Sequence, residues 1–132
     1  WDFVDREQPW RSTALAWESG TGCSALFYGL EQSLKLITDM GLANVEAYVN
    51  GLADQLCDGL AGRDYEIVSS RAPGEKTSIV CIRHNGGKPA NEIASGLERQ
   101  KIIVAPRGDR LRIASHFYNN SGDIDRLLAA LP

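Results

Sequence analysis

The sequence has few of the features that membrane, nucleic-acid-binding or metal-binding proteins require. No run approaches the roughly 20 consecutive apolar residues of a membrane span. The formal net charge is −3 and the two signs are interspersed, so there is no broad positive field for nucleic acid or an anionic membrane. With two histidines, three cysteines and no CxxC pair, the sequence offers no recognisable set of metal ligands. These features favour a small-molecule or protein partner, and we expect no bound metal.

The cysteines also indicate a cellular compartment. Cys23, Cys57 and Cys81 are odd in number and widely spaced, which is not typical of a disulfide framework. The first residues, 1–5, lack the basic and apolar regions of a secretory signal. We therefore predict reduced thiols and a cytoplasmic location.

The length and composition fit one folded domain. The 132 residues are 43% hydrophobic and 23% charged, which allows a core to form without disulfides or metal. The opening is polar and aromatic without periodicity. We interpret residues 1–15 as an extended lead-in that lies against another part of the protein, and residues 16–132 as the domain.

Periodicity predicts the order of the secondary structure. Helical spacing of apolar residues predicts a long helix over 24–39 and a second from Val45 to Leu60 that is closed by Gly62. It also predicts a short helix starting at Pro89 and a last helix capped by Asn120 or Ser121. Short β-branched segments predict strands at 65–68, 77–83, 102–105 and 111–114, with a turn at 106–109. The order ααββαββα favours an α+β fold, in which two long N-terminal helices and further helices pack on one face of a small, mostly antiparallel sheet.

Two short stretches could carry chemistry, and the first precedes the first long helix. Gly20 allows close backbone approach, Thr21 supplies a hydroxyl, and the free amides of the helix start favour an anion. The same residues are typical of a glycine turn and a helix cap. The pattern alone leaves both interpretations open.

The second stretch is the predicted strand that contains Arg112. Alternation sends Leu111 and Ile113 to one face of the sheet and Arg112 to the other. An arginine held on a strand can grip a carboxylate through two parallel charge-assisted hydrogen bonds. A solvated arginine on a polar sheet face has the same pattern, so the residues alone do not decide its role.

In order, the two stretches resemble the C-terminal domain of class V aminotransferases, the group that includes cysteine desulfurases and isopenicillin-N-epimerase-like proteins. The resemblance covers the chain from about Ala16 to its end. It rests on Glu18-Ser19-Gly20-Thr21, the helix pair, Arg112-Ile113-Ala114-Ser115, Tyr118-Asn119 and Asp123-Ile124-Asp125. The sequence departs from the family pattern at Ala16-Trp17, where the family prefers arginine and phenylalanine.

The resemblance implies roles for individual residues. Arg112 would hold the α-carboxylate of an amino-acid substrate, and Gly20 and Thr21 would contact the phosphate of pyridoxal 5'-phosphate across a homodimer. The cofactor would be held mainly by a large domain of the same polypeptide, which supplies the lysine that binds it. The turn at 106–109 has no cysteine, whereas similar desulfurases carry their sulfur-accepting thiol in a loop there, which disfavours persulfide chemistry.

The resemblance also implies that this sequence is a fragment. None of its four lysines lies in an apolar pattern, so we expect the chain alone to be inactive and the missing large domain to precede Trp1. The alternative is a free-standing α+β module that binds a small acid or a protein without catalysis. The sequence pattern predicts neither the substrate nor which of transamination, racemisation, elimination and desulfuration the parent enzyme catalyses.

Overall fold

A computed structural model describes residues 7, 9, 12–17 and 22–132. A 3₁₀ helix at Ala14–Trp17 is followed by α1 (Ser24–Met40), α2 (Leu42–Gly59), β1 (Tyr65–Ile67), β2 (Ile79–His84), α3 (Ala90–Glu98), β3 (Ala105–Arg107), β4 (Arg110–Ala114) and α4 (Ser121–Ala130). The order of the long elements and the α+β class are confirmed. No helix of the described part is long and apolar enough to cross a membrane. The chain divides into two compact units, residues 1–36 and 37–132.

The four strands form one antiparallel sheet in the order β1-β2-β4-β3. Strands β2 and β3 run in the same direction and are connected through α3, and β4 lies between them. A two-residue turn, Gly108 and Asp109, joins β3 to β4, and Gly108 takes the positive φ of 60° that such tight turns require. Strand β4 is therefore an interior strand with a neighbour on each side.

The core lies on one face of this sheet. Val80, Ile82, Leu111 and Ile113 alternate along β2 and β4 and are at most 6% exposed. They pack with buried residues of the three helices of the second unit, chiefly Leu56, Leu97, Ile124 and Leu127. None of the buried helix residues of this core lies on the opposite face of the sheet, which we call the open face. It carries Cys81 and Arg112, which are directly opposite each other.

One strand begins later than the sequence predicts. Residues 102–104 precede β3 instead of forming it, because the backbone amide of Ile102 takes part in the hydrogen bonding that ends α3. Lys101 adopts a left-handed φ of 60°, and the amide of Ile102 donates to the carbonyl of Leu97 at 3.0 Å. Pro106 then lies in β3, which tolerates proline because it is an edge strand. The predicted turn at 106–109 is accordingly confined to its last two residues.

The helix caps agree with the sequence in part. Asn120 caps α4 in a full capping box with Asp123, as predicted. Pro89 is the N-cap of α3 rather than its first helical residue. Gly41 has a positive φ of 85° in the one-residue connection between α1 and α2.

The apolar stripe that predicts α1 is exposed. Among the described residues α1 has no buried side chain, and its aromatic and aliphatic residues are among the most exposed of the chain. Leu26 is 71% exposed and Phe27 is 67% exposed. Local periodicity therefore identifies the helix correctly but does not identify what covers its apolar side.

An ionic cluster ties the loop between β1 and β2 to α2. The guanidinium of Arg71 lies 2.6 Å from Asp54 Oδ1, and Lys76 Nζ lies 3.1 Å from the same atom. Arg71 also donates to the carbonyl of Thr77 at 2.9 Å. The hydrogen bond from Arg71, followed by that from Lys76, lowers the pKa of Asp54 below its ordinary value of 3.8.

This cluster predicts a specific loss of stability in acid. A carboxyl group with a depressed pKa stabilises the fold above its unfolded pKa, and that contribution is lost as the pH falls through the folded pKa. Because the Asp54 side chain is 42% exposed, solvent screens the cluster and we expect about 1 kcal/mol or less. Asp54→Asn should remove that part of the acid dependence when urea unfolding is followed from neutral pH to about pH 2.

Asp58→Asn is the matched control for this measurement. Asp58 is exposed on the same helix and takes part in none of the ion pairs found within the described residues. Its replacement should leave the acid dependence close to that of the parent chain. An equal change in both variants would show that the Asp54 cluster contributes nothing specific.

Candidate functional site

The candidate site is built around Arg112 on β4. Its neighbours Leu111 and Ile113 are buried in the core, so the alternation of the strand places the Arg112 side chain on the open face, as predicted. Strand β2 lies on one side, where Cys81 is its partner, and β3 lies on the other, where Ala105 is its partner. Two small side chains thus flank the arginine, and an interior strand holds its backbone.

Arg112 lacks a polar partner at one buried atom. The residue is half-buried, and its Nε atom is inaccessible to solvent and has no hydrogen-bond partner within the described part of the chain. A buried donor without an acceptor is costly, by about 1–3 kcal/mol for an uncharged group and more for a charged one. Arg112 also takes part in no ion pair among the described residues, and a planar guanidinium that no acid holds can bind an anion through two parallel hydrogen bonds.

The other arginines of the open face are held by neighbours. Arg83 Nη2 lies 2.6 Å from Glu66, and Arg83 Nη1 lies 3.0 Å from Asp109. Arg110 Nε lies 3.3 Å from Asp109 as well. The hydrogen bond from Arg83 lowers the pKa of Asp109 below its ordinary value of 3.8.

A third neighbouring arginine contacts its own strand. Arg107 donates from Nη1 to the carbonyl of Pro106 at 2.9 Å. Arg112, in contrast, takes part in none of the ion pairs found among the described residues. Of the arginines on this face, Arg112 is therefore the one whose geometry favours an external anion.

Two asparagines form the hydrogen bonds that fix the segment between β4 and α4. Asn119 accepts a hydrogen bond from the backbone amide of His116 at 3.0 Å, and its carbonyl accepts one from the Tyr48 hydroxyl at 2.8 Å. Asn120 caps α4 with Asp123. Asn119 therefore has a structural role here: it connects the segment that follows β4 to both α2 and α4.

Other predicted site residues lie elsewhere. Gly20 and Thr21, the expected phosphate contacts, are outside the described residues. All four lysines, Lys35, Lys76, Lys88 and Lys101, are exposed. The structure therefore places Arg112 but brings no second predicted site residue to it.

Sequence reasoning missed the thiol beside Arg112. Cys81 is half-buried on the open face and is the direct cross-strand partner of Arg112. Cys57 lies on α2 and packs against the core on the other side of the sheet, where burial raises the pKa of its thiol. The alternation of β2 indicates the face of Cys81, but no local signal indicates that β4 pairs with β2.

Comparisons with known proteins agree with this architecture. The model of the family Aminotransferase class-V matches residues 3–127. The chain is 25% identical over 111 residues to the uncharacterized aminotransferase YcbU of Bacillus subtilis (strain 168), covering 84% of this chain and 29% of that protein. It is 27% identical over 99 residues to the uncharacterized aminotransferase C777.03c of Schizosaccharomyces pombe, covering 74% of this chain and 24% of that protein.

Solved structures show the same fold. A cysteine desulfurase from Thermococcus onnurineus NA1 superposes with a TM-score of 0.77 at 19% identity, over 86% of this chain and 32% of that one. The Escherichia coli cysteine desulfurase CsdA superposes with a TM-score of 0.73 at 22% identity, over 86% of this chain and 31% of that one. The chain thus spans about a third or less of the length of the proteins that it matches.

Proposed function

Because this chain belongs to the class V aminotransferase family, we propose that it is the small C-terminal domain of a pyridoxal-phosphate enzyme that acts on an amino acid. The observation that carries the proposal is the half-buried Arg112, whose Nε has no partner in the described part of the chain. Its role is to hold the α-carboxylate of the substrate. We use "whole protein" below for this domain together with the proposed large domain.

The geometry of β4 suits this role. A carboxylate that approaches the open face meets one unpaired guanidinium, because Glu66 and Asp109 already hold Arg83. The backbone of Arg112 is fixed by strands on both sides and by the Asn119 turn beyond it. Such a support holds a ligand in one orientation better than a mobile loop does.

The cofactor is proposed to be held mainly by the large domain. The exposed lysines of this chain do not provide the desolvated setting that activates a lysine amine, so they do not fit as its covalent partner. By resemblance, Gly20 and Thr21 contact the cofactor phosphate across a homodimer. When bound, pyridoxal phosphate supplies an electron sink for carbanion chemistry at the substrate.

The large domain is also the proposed partner of α1. Leu26, Phe27 and Leu30 are each more than half exposed, and contiguous exposed apolar side chains on one helix are typical of an interface. The chain spans 29% of its Bacillus relative and 24% of its fission-yeast relative, which leaves ample length for such a domain in a protein of similar size. Homodimerisation is proposed on the resemblance alone.

The thiol of Cys81 provides a direct test of carboxylate binding. A carboxylate on Arg112 would lie beside its cross-strand partner Cys81 and should slow alkylation of that thiol by iodoacetamide. Cys57 is on the helix side of the sheet and should react at an unchanged rate. The measurement is peptide mapping by mass spectrometry of the whole protein, with and without an aliphatic carboxylate.

The Arg112→Lys variant shows whether protection of Cys81 depends on the guanidinium of Arg112. We expect protection of Cys81 in the parent protein and its loss in the variant. Equal alkylation of Cys81 with and without carboxylate, in a folded parent protein, would overturn the proposed role of Arg112. If this chain alone showed full protection, the result would favour a free-standing binding module.

A further inference from the structure

The open face of the sheet is ordered in three rows across the strands. The middle row is Cys81, Arg112 and Ala105, which are paired in register. The row on one side, which we call the ionic row, contains Glu66, Arg83, Arg110 and Arg107. The row on the other side, the apolar row, contains Ile79, Ala114 and Ile103. Arg112 therefore lies at a boundary between charged and apolar surface.

The placement of the apolar row follows from pairing and burial. Ile79 is the register partner of Ala114 and is 42% exposed. Ile102 and Val104 pack against the core, whereas Ile103 between them is 77% exposed, so the Ile103 side chain points away from the core.

The two outer rows offer different environments to a ligand. In the ionic row Glu66 and Asp109 hold Arg83, and Asp109 also holds Arg110, so most of its charges are already neutralised. In the apolar row two isoleucine side chains have exposed surface that water hydrates poorly. A ligand whose carboxylate lies on Arg112 gains more by extending a hydrophobic group over the apolar row.

We propose that Ile103, supported by Ile79 and Ala114, determines specificity by contacting the side chain of the amino acid that Arg112 holds. The substrate class is then an amino acid with an aliphatic side chain rather than an acidic one. This inference rests on the proposed function of Arg112. It adds the direction in which the substrate lies: from the middle row toward the apolar row.

The test compares carboxylates that differ only in the group beyond the carboxylate. Acetate reports binding to Arg112 alone, isocaproate adds an aliphatic branch, and glutarate adds a second carboxylate. The readout is the concentration of each that gives half-protection of Cys81 from iodoacetamide in the whole protein. We expect isocaproate to protect at concentrations about tenfold below those of acetate. The reason is that a methylene group in contact with a pocket can raise the affinity by about that factor.

The deciding variant is Ile103→Ala. It should raise the half-protecting concentration of isocaproate about tenfold and leave that of acetate within about twofold. Leu42→Ala is the matched control, since Leu42 is 69% exposed on α2 and should change neither value. The thermal midpoint of Ile103→Ala should equal that of the parent, because an exposed side chain contributes little to stability.

The outcomes separate this inference from the proposed function. If acetate protects Cys81 but Ile103→Ala leaves the preference for isocaproate unchanged, the specificity proposal is wrong and the role of Arg112 stands. A preference for glutarate would also overturn it and would indicate the ionic row instead. Equal weakening of all three ligands by Ile103→Ala would overturn it too, because it would show that the substitution disturbs carboxylate binding at Arg112 rather than a contact with the ligand side chain. If no carboxylate protects Cys81, the proposed function itself fails.

Discussion

Replacing Arg112 by lysine in the whole protein is expected to lower kcat/KM for the amino-acid substrate about 100-fold. Lysine keeps the charge but has no planar fork, so one of two parallel hydrogen bonds to the carboxylate is lost and the other is misdirected. Hydrogen bonds to charged groups are worth about 1.5–3 kcal/mol, and each 1.4 kcal/mol corresponds to about a factor of ten. The measurement is steady-state kinetics on the holoenzyme.

The same variant should retain its fold and its cofactor. Arg112 Nε makes no hydrogen bond within the described residues, so the substitution breaks no such bond in the chain. We expect an unchanged thermal midpoint and an unchanged visible absorption of the bound cofactor. A loss of cofactor together with activity would argue for a structural role of Arg112 instead.

Arg110→Lys provides the control on the same strand. Arg110 lies two residues from Arg112 on the same face, but it is exposed and pairs with Asp109 at 3.3 Å. Its replacement should change kcat/KM by less than about twofold, because a surface pair contributes little. Equal losses in both variants would show that general positive charge, rather than the geometry of Arg112, assists the substrate.

Adding one methyl group at Gly59 is expected to destabilise the domain by about 1–3 kcal/mol. A Cβ atom at this last residue of α2 would lie 2.3 Å from Leu128 Cδ1 and 3.1 Å from Cδ2. Leu128 is 7% exposed and belongs to the core, so it has little room to move. The contact between α2 and α4 would have to open, and urea unfolding of Gly59→Ala measures the cost.

Gly51 supplies a control with the opposite sign. It lies in the same helix and is exposed, and a Cβ atom built there meets nothing within 4 Å. Gly51→Ala should therefore stabilise the domain by about 0.5–1 kcal/mol through helix propensity alone. If Gly59→Ala also stabilised the domain, the result would contradict the close contact between Gly59 of α2 and Leu128 of α4.

A double-mutant cycle tests the mechanism of the Gly59 effect. Leu128→Ala removes the atoms that the new methyl group would meet, so Gly59→Ala should cost much less in that background. We expect a coupling of at least about 1 kcal/mol between the two positions. Strictly additive effects would place the strain elsewhere in the helix.

Much of the fold follows from local sequence. Within the described residues, apolar spacing correctly predicts the four α-helices, though not the 3₁₀ helix at Ala14–Trp17, and β-branched segments predict four strands in the correct order. The main error, at β3, has a local cause: the left-handed Lys101 and the bond from Ile102 to Leu97 extend the end of α3 into the predicted strand. A non-glycine residue at such a position gives little warning in the sequence.

The candidate site was only partly accessible from the sequence. Alternation along β4 is a local property, so it placed Arg112 on the face opposite Leu111 and Ile113. The unpaired state of Arg112 is different, because it depends on Asp109 and Glu66 being held by Arg83 of another strand. The cross-strand partners of Arg112, Cys81 and Ala105, lie in other segments, and no local sequence pattern links them to Arg112.

The sequence by itself therefore determined the helices and strands, the cap at Asn120, the face of Arg112 and the family resemblance. All of these depend on residues a few positions apart, where backbone geometry imposes a period. Only the tertiary structure decided that β4 lies between β2 and β3, that α2 approaches α4 at Gly59, and that Arg112 separates an ionic row from an apolar row. Those features depend on strand register and packing between distant segments, which no local period encodes.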